Sequence, residues 1–94
     1  MDIIWSNGCY DILHRGHLEL LKYARSLGDK LIVGIDSDQK VRNSKGEGRP
    51  VNKEDDRKFF LESLRYVDEV VIFDTVEELK GRVKAIRPKF IVIG

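Results

Sequence analysis

The sequence predicts an α/β protein with a Rossmann-like, doubly wound parallel sheet of about four strands and flanking helices. Apolar runs of strand length alternate with amphipathic, helix-like segments along the whole chain. Helical segments of about 10–14 residues between strands are typical of βαβ units, in which the strands are parallel. If the chain winds one way from the first strand and then the other, the loop after that strand lies where such folds bind ligands.

The predicted strands are short apolar runs. The second, residues 31–35, is apolar almost without interruption, as expected for a strand that is covered on both faces. Trp5 belongs to the first strand, and we expect its ring in the core. The four segments are residues 2–6, 31–35, 70–73 and 90–93.

The predicted helices cover residues 16–27, about 53–65 and about 75–86. The first ends at Gly28, and the third ends before Pro88. Asn52 predicts the N-cap of the second helix, and Thr75 with Glu78 predicts a capping box for the third. The polar segment between the second strand and the second helix is expected to be the only long loop.

Helical phasing places two basic side chains at matching positions. The residues expected to face the sheet are Leu20, Leu21, Ala24 and Leu27 in the first helix, and Phe60, Leu61 and Leu64 in the second. His17 and Arg57 each stand at the N-terminal tip of such a stripe, where an apolar residue is more usual. We therefore expect both side chains to overhang the carboxyl edge of the sheet.

Composition narrows the classes of function. A chain of 94 residues forms one small domain, and an oligomer partner would help it to bury enough apolar surface. The net charge of +1 gives no reason to expect a nucleic-acid partner. No stretch approaches the ~20 apolar residues that cross a bilayer, so no membrane partner is expected. The single cysteine, Cys9, fits a reducing compartment, and we expect a cytoplasmic protein.

Residues 8–17 carry the strongest functional signal. They place His14 and His17, with Gly16 between them, where the first strand leads into the first helix. The N-terminus of that helix offers N–H groups and a positive dipole to an anion, and Gly16 lets a phosphate approach the backbone. We therefore expect the two histidines to donate hydrogen bonds to phosphate oxygens.

Residues 8–17 also resemble the HxGH signature of the cytidylyltransferase-like nucleotidylyltransferase superfamily. The similarity continues in order through residues 24–29, 37–38, 44–52, 56–57 and 67–71. Within the superfamily the chain is most similar to heptose 1-phosphate adenylyltransferases (ADP-heptose synthases), and next to glycerol-3-phosphate cytidylyltransferases. An acidic and aromatic loop and a Ser/Thr-rich segment follow Gly94 in the family, so residues 1–94 are expected to be one domain that is truncated at its C-terminus.

The resemblance implies transfer of a nucleoside monophosphate from ATP or CTP to a small phosphate monoester, a sugar phosphate or polyol phosphate, with release of pyrophosphate. Alignment and charge neutralisation dominate such transfers. The catalytic residues would be His14, His17, Lys45 and Arg57. The nucleotide- and phosphate-binding residues would be Asn7, Gly8, Cys9, Tyr10 and Gly16, with Tyr10 on an exposed turn. Mg²⁺ would accompany the triphosphate, and the enzyme would be a homodimer.

Several positions keep two interpretations. Asp11 either caps backbone N–H groups or helps to place magnesium, and Asp38 either lies near the substrate or forms a turn. Arg49 either neutralises phosphate or lies on the loop surface. Direct metal binding by the histidine pair would need two further ligands, and only Cys9 and Asp11 are near. Two other functions stay open: a nucleotide-binding module without turnover, and a flavodoxin-like interaction domain.

Overall fold

The computed structural model describes residues 1–93 and confirms the predicted α/β architecture. Its elements, in chain order, are β1 (Ile3–Gly8), α1 (Arg15–Ser26), β2 (Lys30–Asp36), α2 (Asp38–Lys45), α3 (Glu54–Glu62), β3 (Glu69–Phe73), α4 (Val76–Ile86) and β4 (Phe90–Ile91). The strands form one sheet in the order β3-β2-β1-β4, and every neighbouring pair is parallel.

The strand order places the switch point beside β1. The chain moves outward from β1 through β2 to β3, and then returns to the opposite side of β1 for β4. The loop between β1 and α1 therefore opens at the carboxyl edge where the winding direction reverses. Crevices at this place bind ligands in doubly wound folds.

The two central strands, β1 and β2, supply six of the fourteen buried hydrophobic residues among those the structure describes. Trp5 is fully buried, as predicted, and its indole Nε1 donates to Asn7 Oδ1 at 2.8 Å. The indole lies against Gly34 of β2, where an ideal Cβ would come within 2.7 Å of the ring atom Cη2. A glycine at position 34 therefore makes room for the largest side chain of the core.

A short helix, α2, occupies the first half of the predicted long loop, which corrects that prediction. Ser37 caps the helix by accepting the N–H of Lys40 at 3.1 Å. Val41 is the one buried residue of α2, so a single apolar side chain packs this helix against the core. One apolar residue in eight gives almost no amphipathic signal, which is why sequence periodicity missed it.

Two details of α3 also differ from the prediction. Lys53 rather than Asn52 is the N-cap, and its side chain makes no capping hydrogen bond. Phe60 is 43% exposed, whereas Arg57 and Leu61 are the fully buried residues of the helix. The face of α3 that points into the core is therefore formed by Arg57 and Leu61, which are four residues apart and lie one above the other on the helix.

Candidate functional site

The carboxyl end of β1 opens into a cavity of 430 Å³, which we call the first cavity. The β1–α1 loop and the first turns of α1 line it: Asn7, Gly8, Cys9, Tyr10, His14, Gly16, His17 and Leu20. The structure thus brings together both histidines and all five positions that the resemblance assigns to nucleotide or phosphate binding. The positive end of the α1 dipole faces the same space.

His14 and His17 are held by reciprocal hydrogen bonds at the start of α1. His14 is the N-cap, and its Nδ1 accepts the N–H of Gly16 at 3.0 Å. His17 Nδ1 accepts the N–H of His14 at 3.3 Å. A neutral imidazole whose Nδ1 accepts a hydrogen bond carries its proton on Nε2. Both rings therefore present an Nε2–H donor.

The two imidazoles lie face to face. Their ring centroids are 3.9 Å apart with 26° between the ring planes. Burial and the neighbouring His14 charge both lower the pKa of His17, so the neutral form of His17 is favoured at pH 7. The stacked pair therefore offers two Nε2–H donors side by side, an arrangement suited to the oxygens of one phosphate.

Tyr10 supports His17 from the other side, and its placement corrects the expectation of an exposed turn. Its ring packs edge-on against the His17 imidazole with 5.2 Å between centroids, and the residue is only 6% exposed. The phenol oxygen and the buried Ser6 hydroxyl share a hydrogen bond of 3.1 Å. Burial raises the pKa of the Tyr10 phenol, and the Ser6 bond offsets only part of that rise.

A cavity of 290 Å³, which we call the second cavity, shares three lining residues with the first. Its lining residues are Cys9, Tyr10, Asp11, Ile12, His17, Lys45 and Arg49. Lys45, expected in a flexible loop, is the last residue of α2. His17, Cys9 and Tyr10 line both cavities, whereas His14 lines only the first.

Asp11 fastens the β1–α1 loop to the segment before α3. Its two carboxylate oxygens accept the N–H groups of Asn52 at 2.7 Å and Val51 at 2.8 Å. Burial alone would raise the pKa of this carboxyl, but these bonds and the charges of Arg57 and Arg49 lower it on balance. Asp11 therefore caps backbone N–H groups, as one interpretation expected, but those groups belong to a segment about forty residues away.

Arg57 lies at the carboxyl edge as phasing predicts, but its guanidinium does not overhang it. The side chain is fully buried. It donates to four oxygens: the carbonyls of Cys9 (2.9 Å), Asp36 (2.7 Å) and Asn52 (3.0 Å), and Asp38 Oδ1 (2.8 Å). The side chain turns inward instead of overhanging the edge because these carbonyl and carboxylate oxygens need donors. Arg57 ties the loops of the site together from beneath.

Asp38 belongs to this buried network and does not line either cavity in the part of the chain that the structure describes. Its Oδ1 accepts the N–H of Glu54 at 2.8 Å as well as the Arg57 guanidinium. Glu54 returns the bond by accepting the N–H of Asp38 at 2.8 Å. The pair caps α2 and α3 reciprocally, which favours the structural interpretation of Asp38.

Arg49 is the lining residue that sequence reasoning left undecided. The signal that could have found it is its spacing from Lys45, four residues away across two glycines. Among residues 1–93, no three His, Cys, Asp or Glu side chains gather into a cluster that could hold a metal ion. No helix in the same range is long and apolar enough to cross a membrane.

Comparison with known proteins gives concordant matches. The sequence model of the cytidylyltransferase-like family matches residues 5–94. The bifunctional protein HldE of Aliarcobacter butzleri (strain RM4018) is 50% identical over 94 residues, which cover 98% of this chain and 19% of that protein. The bifunctional protein HldE of Helicobacter pylori (strain Shi470) is 47% identical over 92 residues, with 98% and 20% covered. The chain thus spans about a fifth of the length of these curated relatives.

A solved structure shows the same fold. The lipopolysaccharide core biosynthesis protein from Thermoplasma volcanium GSS1 superposes with a TM-score of 0.84 at 31% sequence identity. The match covers 97% of this chain and 72% of that one.

Proposed function

The chain belongs to the cytidylyltransferase-like family, and on that premise we propose that it transfers a nucleoside monophosphate from a nucleoside triphosphate to a phosphate monoester, with release of pyrophosphate. The observation that carries the proposal is the pair of Nε2–H donors on His14 and His17 in the first cavity, with His17 lining the second cavity as well. The first cavity would take the nucleotide, and the second would take another anion next to His17.

We propose a sugar phosphate as the acceptor and ATP as the donor, so that the chain acts as a heptose 1-phosphate adenylyltransferase. The resemblance of residues 44–52 to enzymes of that type supports this choice. The structural neighbour also supports it, because that protein is named for lipopolysaccharide core biosynthesis. A glycerol-3-phosphate cytidylyltransferase-like activity is the alternative within the same chemistry.

The proposed reaction is an in-line displacement at the α-phosphorus. An oxygen of the acceptor phosphate forms a new P–O bond, and the bond between the α-phosphorus and its bridge to the β-phosphate breaks. The bonding electron pair leaves with pyrophosphate. With all phosphates ionised, no proton is consumed or released, so the site needs no general base. Its task is to align the reactants and to neutralise charge.

The chain's residues fit that task. The Nε2–H groups of His14 and His17 donate to α-phosphate oxygens, where negative charge grows in the transition state. The first-turn N–H groups of α1 add their dipole. Lys45, at the end of α2, adds a positive charge in the second cavity, which His17 also lines. Arg57 acts through Cys9, Asp36 and Asn52, whose carbonyls it holds, so it is a positioning residue.

We propose that magnesium enters with the triphosphate. Among the described residues lining the two cavities, Asp11 alone carries a carboxylate, and both of its oxygens already accept backbone N–H groups. A single carboxylate combined with phosphate oxygens is a usual way for proteins to hold Mg²⁺, so Asp11 fits the role. When bound, the ion neutralises charge on the phosphates.

Pyrophosphate release tests the proposal. The assay supplies ATP or CTP with magnesium and either heptose 1-phosphate or glycerol 3-phosphate. We expect His14→Ala and His17→Ala to lower the rate about 100-fold or more while thermal unfolding stays cooperative. Lys22→Ala, an exposed change on α1, is the matched control and should keep the rate.

Two results would redirect the proposal. An unchanged rate in both histidine variants would discard it. Stabilisation of the chain by a triphosphate with no product from any acceptor would favour a nucleotide-binding module instead.

A further inference from the structure

We propose that β4 is the docking surface for a second copy of this chain, which pairs its own β4 antiparallel to the first and extends the sheet across a two-fold axis. In the sheet that the described residues form, β4 is an edge strand with β1 as its one neighbour. The surface is separate from the proposed active site, because it shares no lining residue with the first or the second cavity.

The surface is an apolar groove of 360 Å³, which we call the edge groove. Its walls come from α1 and from residues 90–93, and every lining side chain is aliphatic or aromatic: Tyr23, Leu27, Phe90, Ile91, Val92 and Ile93. Tyr23, Phe90, Ile91 and Ile93 are between 47% and 64% exposed. A contiguous group of exposed apolar side chains on a folded domain marks a site of association.

The opposite edge strand, β3, offers no comparable surface in the part of the chain that the structure describes. Its apolar residues, 70–73, are all buried or half-buried. Asp68 and Glu69 precede them and Asp74 follows, and charges at an edge strand discourage pairing with another chain. Residues 90–93 carry no charge, and three of the four are exposed. The two edges therefore differ, and β4 is the one open to pairing.

The backbone of β4 is suited to a two-fold axis at Ile91. The N–H of Val92 donates inward to Trp5 O at 2.8 Å. Because backbone groups alternate in direction along a strand, Ile91 turns its N–H and C=O to the open side. In an antiparallel pair centred on Ile91, each of these N–H groups donates to the Ile91 carbonyl of the other copy. Lys89 then lies opposite Ile93, so no like charges face each other.

The exposed apolar area is sufficient for a weak, specific dimer. At about 200 Å² for a large apolar side chain, the exposed fractions of the four residues amount to roughly 450 Å² on each copy. The pair would bury about 900 Å² before the backbone contributes, close to the ~1,000 Å² expected of a specific interface. A second copy therefore covers the groove completely enough to be its occupant, and we expect the dimer to dissociate on dilution.

Sedimentation velocity at about 1–300 µM tests the association, a range suited to an interface of this size. We expect the dimer fraction to rise with concentration. Ile91→Lys places two like charges opposite each other at the axis and should raise the Kd about tenfold or more. Tyr23→Lys, outside the strand, should weaken the dimer in the same direction. Val76→Lys is the control, since Val76 is 47% exposed on α4 and does not line the edge groove.

Disulfide trapping tests the position of the axis. Cys9→Ser removes the only cysteine and gives the background for two single variants. Across the proposed axis the two Ile91 Cα atoms lie about 5.5 Å apart, within the range that a disulfide spans, so Ile91→Cys should form a cross-linked dimer under mild oxidation. Ile93→Cys is the matched control: its two copies would be roughly 13 Å apart, four residues along the ladder, and should cross-link about tenfold more slowly or less.

The proposal would be overturned by a chain that stays monomeric over the whole concentration range, by a dimer that Ile91→Lys leaves unchanged, or by equal cross-linking at positions 91 and 93. Species larger than a dimer would also overturn it, because they would indicate an open, head-to-tail contact in place of a two-fold axis. None of these measurements requires turnover. Failure of the proposed function therefore leaves this test intact, and a monomeric chain leaves the proposed function intact.

Discussion

The imidazole of His14 occupies the space in which a side chain at Gly16 would begin. An ideal Cβ at position 16 would lie 2.8 Å from His14 Cε1 and 3.1 Å from Nδ1, and the Gly16 N–H is the donor to that same Nδ1. The His14 ring folds over the N-terminus of α1, and a glycine at position 16 is needed to leave room for it. The same glycine leaves room for a ligand that approaches the helix.

We expect Gly16→Ala to displace the His14 ring and to lower pyrophosphate release about tenfold or more, because one of two aligned donors is lost. Thermal stability should change little, because the higher helix propensity of alanine offsets the loss of the His14 capping bond. Gly81→Ala is the control: a Cβ there meets nothing within 4 Å, and we expect it to stabilise α4 by about 0.5–1 kcal/mol. An active Gly16→Ala variant would contradict the requirement.

Arg57→Met should destabilise the protein strongly. The change leaves the carbonyls of Cys9, Asp36 and Asn52 without their donor and Asp38 without its buried cation. Breaking a buried ion pair typically costs about 3–5 kcal/mol, which urea unfolding would measure. The exposed Arg15→Met is the matched control and should stay within about 0.5 kcal/mol. A small effect at Arg57 would show that the loops hold together without it.

Tyr10→Phe isolates the hydroxyl that anchors the ring beneath His17. The variant keeps the edge-on contact with the imidazole but leaves the buried Ser6 hydroxyl without a partner. We expect a loss of about 1–2 kcal/mol in the free energy of unfolding. Tyr23→Phe, at a site that is 59% exposed, should have almost no effect. Equal stability of the two variants would show that the Ser6 bond contributes nothing measurable.

The lowered pKa of His17 predicts a pH-dependent stability. The unfolded chain, with a histidine pKa of about 6.5, binds a proton more readily than the folded chain, so the free energy of unfolding falls as pH drops below about 6.5. Above that pH this group contributes no slope. Urea unfolding from pH 8 to pH 5.5 should show the fall, and His17→Gln should flatten it. An unchanged slope in His17→Gln would assign the fall to other groups.

The spacing of apolar residues along the sequence was sufficient to predict most of α1. The stripe of Leu20, Leu21, Ala24 and Leu27 follows helical spacing, and Leu21 and Ala24 are fully buried as that spacing predicts. His17 consequently falls at the tip of the stripe, beside the first cavity. A repeat of this length needs no information from the rest of the chain.

Local pattern failed where a contact depends on distant residues. Helix α2 holds one apolar residue in eight, Val41, and it is stabilised by the Ser37 cap and by packing on a sheet that residues far away complete. Likewise Asn52 resembles an N-cap, but its side-chain amide donates to Asp11 O instead. In both cases a tertiary contact determined the local structure, and the intrinsic preference of the residues did not.

The sequence by itself determined the parallel sheet and the place of the two histidines, because apolar period and helix capping act over a few residues. Only the tertiary structure decided that Arg57 is buried, that Asp11 holds Val51 and Asn52, and that Arg49 shares a cavity with His17. These partners are separated by about twenty to fifty residues. Loop packing at the carboxyl edge brings them together, and no local pattern encodes it.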